Sequence, residues 1–119
     1  MPLTMTQEND GILVVRPVGK LVKEDFAQFT AEFDRQRAIQ GKLRVLTDLT
    51  EFHGWDAGGL WEEFKFDVRH MASMERLAVV SDERWHRALA RTARPFLPAK
   101  TEFFHASEGE LARTWLEEL

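Results

Sequence analysis

The spacing of apolar side chains changes period repeatedly along this chain, and each change marks an element. Residues 12–18, Ile12-Leu13-Val14-Val15-Arg16-Pro17-Val18, form an apolar run of strand length. Pro17 has no amide to donate, which places it near the end of that strand or at a sheet edge. Asn9-Asp10-Gly11 just before is a turn signal, so residues 5–8 are expected to fold back as a short edge strand. Gly19-Lys20 breaks the run. A helix is predicted over 23–40, where Phe26, Phe29, Phe33 and, less strongly, Arg37 recur at helical spacing, with Gly41 placed to end it.

The second half repeats the alternation. Residues 43–49 read as a more central strand that ends in an acid, Asp48, followed by a turn through His53 and Trp55. Asp56 is a good N-cap for a helix to about residue 71. Ala57, Leu60, Trp61, Phe64, Val68 and Met71 share one face of it, and Phe66 falls nearly opposite. Residues 75–80 form a third core strand, and Ser81 or Asp82 starts a helix holding Trp85, Ala88, Leu89 and Ala93 that Pro95 and Pro98 terminate. A last strand spans 100–104. Ser107-Glu108-Gly109-Glu110 matches a capping box ahead of a helix with Leu111, Ala112, Trp115, Leu116 and Leu119. The order ββαβαβαβα predicts an α/β domain: a mixed, mainly parallel sheet of about five strands with about four helices.

Composition narrows the function classes. At 119 residues the chain reads as a single domain, 1–119, with no linker or repeat. No apolar run reaches the roughly 20 residues that span a bilayer, and no secretory pattern opens the sequence. Cysteine is absent, which excludes thiol chemistry and fits a cytoplasmic location. A net charge of −4 argues against general nucleic-acid binding. The four histidines, at 53, 70, 86 and 105, are scattered, so neither a metal site nor a cofactor is expected. Glu62-Glu63 and Glu117-Glu118 diverge on a helix and form no catalytic dyad. No nucleophile stands beside a base, so enzymatic chemistry is not expected.

Three regions carry candidate recognition chemistry, each with an alternative structural reading. The turn after the central strand brings Asp48, His53, Trp55, Asp56 and Trp61 together in sequence. In an α/β fold this is the carboxyl end of the sheet, where ligands and partners bind. Structurally, Asp56 caps, Gly54 permits the turn and Trp61 fills the core. Phe66, opposite the core face, suggests an interface, a homodimer being the simplest form; alternatively it packs within the chain. Arg84, Arg87, Arg91 and Arg94 are spaced three, four and three, one side of a helix. With Lys100 they leave −9 for the remainder. Such a stripe meets anions or an acidic partner, or is a solvated face.

The strand-turn-helix at 43–71, above all Phe52-His53-Gly54-Trp55-Asp56 with Leu60-Trp61-Glu62, resembles the SpoIIAA-like family of the STAS superfamily. Gly19-Lys20-Leu21, Arg76-Leu77-Ala78-Val79-Val80-Ser81-Asp82 and Pro95-Phe96-Leu97-Pro98-Ala99 resemble it too. The resemblance implies a STAS-like fold, similar to lipid-binding CRAL-TRIO domains, and a binding or regulatory role. Bacterial anti-sigma-factor antagonists of this class switch by phosphorylation of a hydroxyl at the start of the helix after the central strand. Residues 56–59 here are Asp-Ala-Gly-Gly, with Thr50 the nearest hydroxyl, and Val22 stands where a capping hydroxyl is expected. The expectation is a non-enzymatic module acting through a protein partner, including itself. The alternative is a carrier or sensor of a small apolar or lipid-like ligand, with a pocket lined by Phe26, Phe29, Trp61 and Phe64.

Overall fold

Strands that are apolar on both faces need helices on both sides of the sheet, and this chain folds accordingly. The computed structural model describes residues 3–8, 11–41, 43–55, 74–82 and 100–118; of Phe26, Gln28 and Trp55 it describes only the backbone. Its strands are β1 (Leu3–Gln7), β2 (Ile12–Pro17), β3 (Gly19–Leu21), β4 (Leu43–Asp48), β5 (Phe52–Trp55), β6 (Met74–Ser81) and β7 (Thr101–His105). The described helices are α1 (Asp25–Gln40) and α2 (Gly109–Glu117), the latter entered through a 3-10 turn, Ala106–Glu108. One five-stranded sheet runs β1-β2-β4-β6-β7, antiparallel only at β1–β2. β3 and β5 pair separately, in parallel. The mixed, mainly parallel α/β architecture is the expected one.

Alternate residues of the central strands feed two separate cores. Leu13, Val15, Val45, Leu77 and Val79 pack with Phe29 and Phe33 of α1. Ile12, Val14, Leu46, Ala78 and Val80 pack with Phe104 and with Ala112 and Leu116 of α2. Burying each large aliphatic or aromatic side chain contributes about 1.5–3 kcal/mol, so neither layer is dispensable.

Polar contacts then fix α2 at its C-terminus and at its middle. Arg44 donates from Nη1 to the Leu116 carbonyl at 2.6 Å, and Arg76 donates to the Trp115 carbonyl. Two arginines from neighbouring parallel strands thus satisfy carbonyls at the helix C-terminus, where positive charge is also favoured. The Arg76 guanidinium lies 5.0 Å from the Trp115 ring centre, a cation–π contact. Higher on the helix, Arg113 grips both oxygens of Glu8 at 3.0 and 3.2 Å, which raises the Arg113 pKa and ties α2 to the β1–β2 hairpin.

Several local expectations change. Gly19-Lys20 does not end the strand pairing. Pro17 interrupts β2, but the Gly19 amide donates to the Glu51 carbonyl at 2.8 Å and a new ladder starts there, with Gly19 at φ +73°. The segment read as a turn through His53 is its partner strand, β5. Helix α1 starts at Asp25, not Lys23. No side chain caps its first turn; Asp25 instead reaches back, its carboxylate accepting from the Val22 amide at 2.8 Å. Of the predicted stripe, Phe29 and Phe33 are buried and Arg37 is exposed. The final capping box is shifted two residues: the His105 side chain and the Glu108 carboxylate exchange bonds with each other's amides. The helices predicted after Asp56 and after Asp82 lie outside the described residues.

Phe33 is fully buried between α1 and the sheet. Phe33→Ala is expected to cost about 3–5 kcal/mol in denaturant unfolding with an unchanged m-value. A loss under about 1 kcal/mol would show that the α1 layer is not tightly packed.

Candidate functional site

The carboxyl ends of β2, β4 and β6 meet along one edge, and a polar cluster closes it. β2 and β4 pair from Ile12↔Arg44 to Val15↔Thr47, which brings the next residues, Arg16 and Asp48, side by side. Arg16 Nε donates to Asp48 Oδ2 at 3.1 Å. Asp48 Oδ1 accepts from the Thr50 amide at 3.0 Å and from the Thr50 hydroxyl at 2.7 Å. Burial pushes the Asp48 carboxyl up, but the Thr50 hydroxyl and amide and the Arg16 guanidinium outweigh it and hold the pKa below its ordinary value. The acid at the end of the central strand is therefore a structural anchor, its oxygens occupied from within the chain. Thr50 stood out in the sequence only as the hydroxyl nearest the phosphorylation position of the class, and Arg16 not at all, although a lone charge inside an apolar strand was a sign of it.

Beyond this anchor, β3 and β5 extend the β2–β4 pair. Gly19 pairs with Phe52, Lys20 with Gly54 and Leu21 with Trp55, with an irregularity between Gly19 and Lys20. Leu21 and Phe52 turn into the α1-side core, while Lys20 and His53 are exposed. Gly54 sits at φ +108°, a backbone conformation that strongly favours glycine. His53 is thus presented on a short, glycine-shaped ladder past the end of the main sheet. Trp55 ends the same strand; Asp56, Trp61 and Phe66 lie outside the described residues, as do Arg84, Arg87, Arg91 and Arg94. The structure accordingly joins His53 to the backbone of Trp55 and tests no grouping with the others. Among the described residues no cluster of three acidic or histidine side chains is arranged to hold a metal. Nor is any described helix long and apolar enough to cross a membrane.

Comparison with known proteins places this geometry. The SpoIIAA-like family model matches residues 12–117. The chain belongs to the SpoIIAA-like family. An uncharacterised protein of the DUF3478 family with a SpoIIAA-like fold, from Shewanella loihica PV-4, superposes with a TM-score of 0.80 at 27% identity, over 96% of this chain and 91% of that one. The anti-sigma factor antagonist SpoIIAA in its unphosphorylated form superposes with a TM-score of 0.62 at 15% identity, over 95% and 97% of the two chains, a likeness of fold alone. No curated protein matches the sequence.

Two substitutions test the chemistry of this edge. The folded-state pKa of Asp48 lies below the unfolded value of roughly 3.9, so its charge stabilises the fold above that value and stops doing so as pH falls through the folded pKa. Asp48→Asn is expected to cost about 1 kcal/mol near pH 7, with the difference from wild type closing as pH falls below the ordinary carboxylate range. A difference that persists unchanged into acid would assign the effect to shape, not charge. Ser81, at the end of β6, is wholly buried and its hydroxyl has no hydrogen-bond partner among the described residues. Ser81→Ala should therefore leave the melting temperature unchanged or raise it; a clear fall would reveal a bond to that hydroxyl.

Proposed function

We propose that this SpoIIAA-like domain is a non-enzymatic regulatory module that works by binding a protein partner, and that the β3–β5 ladder with the turn after it is the recognition surface. The observation that carries the reading is the exposed His53, held on a ladder that is fixed to the sheet at the carboxyl edge by Asp48, Arg16 and Thr50. An interaction module needs side chains displayed on a rigid base, because ordering a flexible loop on binding costs affinity. Trp55, Asp56, Trp61 and Phe66 extend the proposed surface along the chain, and Arg84, Arg87, Arg91 and Arg94 supply a stripe for an acidic partner. A soluble, cytoplasmic module without cofactor or metal, free of nucleic acid and of integral membrane contact, fits this reading.

The phospho-switch of the class has no acceptor at its usual place, since residues 56–59 carry no hydroxyl. Regulation in this reading comes from occupancy of the surface. The alternative of a small apolar or lipid-like ligand calls for a pocket around Phe29. That ring is instead buried in the core, 6.1 Å from the Phe33 ring centre, which favours the interaction reading at this residue.

His53→Ala combined with Trp55→Ala is expected to abolish partner capture while leaving the melting temperature nearly intact. His53→Ala alone, an exposed-site change, should weaken capture severalfold without touching stability. Affinity capture from the native cells, followed by mass spectrometry and melting curves of each variant, checks both. Full partner recovery by the folded double variant would overturn the proposal.

A further inference from the structure

The outer edge of the main sheet carries a second recognition feature, independent of the β5 surface. Strand β1 is the terminal strand, and among the described residues it pairs only with β2. An open strand edge presents a row of backbone amides and carbonyls that only another extended strand matches well. Natural edges are usually blunted by charge, proline or a bulge within the strand. Leu3-Thr4-Met5-Thr6-Gln7 has none of these: it is uncharged, and its pairing with β2 runs without irregularity from Leu3↔Pro17 to Gln7↔Leu13. The nearest acid, Glu8, is neutralised by the two-pronged contact from Arg113.

We infer that β1 pairs with β1 of a second copy of this chain, antiparallel about a two-fold axis at Met5, joining two five-stranded sheets edge to edge. The strand's own chemistry selects this occupant. Antiparallel pairing centred on Met5 sets Thr4 opposite Thr6 of the second copy and Leu3 opposite Gln7, so no charge meets a like charge. Leu3 and Met5 lie partly buried against the α1-side core, and a second copy would cover the apolar margin they leave. Thr4 and Thr6 are exposed on the other face, where facing threonines form a favourable cross-strand pair. The last turn of α1 is fastened to this strand by Gln40, which donates to the Gln7 side chain at 2.7 Å, and the same turn carries Ile39, 67% exposed. A seam of five residues is short, so the association is expected to be weak and concentration-dependent.

The inference rests on the reading of this chain as an interaction module, yet its test is separate. Sedimentation equilibrium of the whole chain, from about 10 μM to 1 mM, should show a reversible monomer–dimer equilibrium in this weak range. Thr4→Lys with Thr6→Lys places like charges opposite each other and should shift the dimerisation constant at least tenfold toward monomer. Thr4→Glu with Thr6→Glu should do the same. Mixing the two folded double variants should restore dimers, as mixed pairs of opposite charge, which a seam elsewhere on the surface would not produce. Circular dichroism and melting curves confirm that each variant is folded; should a double variant fail, Thr4→Lys mixed with Thr6→Glu supplies the same complementarity. A wild-type chain that stays monomeric throughout overturns the inference. So does a dimer indifferent to these charges, although that outcome would leave binding through the β5 surface intact.

Discussion

Everything in this domain follows from a sheet whose central strands must be buried on both faces. Residues 12–15, 45–46 and 77–80 carry apolar side chains without alternation, so each strand is unstable until both sides are covered. Helix α1 covers one side with Phe29 and Phe33, and α2 the other with Ala112 and Leu116. The second cover is the more demanding, because α2 is short and comes late in the chain. Its two fully buried positions, Ala112 and Leu116, are a narrow contact for defining its angle. Arg44 and Arg76 supply that definition by reaching from adjacent strands to consecutive carbonyls at its C-terminus.

The same constraint explains why the candidate surface sits where it does. A strand pair buried on both faces cannot run on indefinitely into solvent, and Pro17 interrupts it. Pairing resumes one residue later as β3–β5, now with one face in the core, through Leu21 and Phe52, and one outside, through Lys20 and His53. The ladder thus changes from doubly buried to singly buried, with one face exposed. Asp48 stands at that transition, with Thr50 turning the chain and Arg16 bracing it from the neighbouring strand.

The long elements were legible because their periods are unambiguous. The strands at 12–17, 43–48 and 74–81 and the helix ending at Gln40 follow from unbroken apolar runs or a phenylalanine spacing. The mainly parallel order followed from their alternation with helices. What escaped detection is short or depends on partners distant in sequence. Three- and four-residue strands show no measurable period, and Gly19, which marks a break in most strands, here supplies the positive φ that restarts pairing. The capping details shifted because Asp25 reaches back to the Val22 amide and His105 caps with Glu108, contacts that propensity alone does not rank. At the site, the sequence drew attention to Asp48 and His53, and the fold places the first in a polar cluster and leaves the second exposed. Their difference in role, one bonded inward and one exposed, depended on Arg16, which lies 32 residues away.

That difference bears on how such a domain can be controlled. Thr50 is the hydroxyl nearest the position where the class places its phosphate, but its oxygen already donates to Asp48, and its amide does the same. A phosphate there would put close to two negative charges beside a carboxylate held ionised at neutral pH. The result would be repulsion at the turn that supports β5, not a new contact on its surface. An aspartate anchor at the end of the central strand and a reversible phosphate two residues later are therefore competing uses of the same few ångströms. In this chain the anchor occupies them.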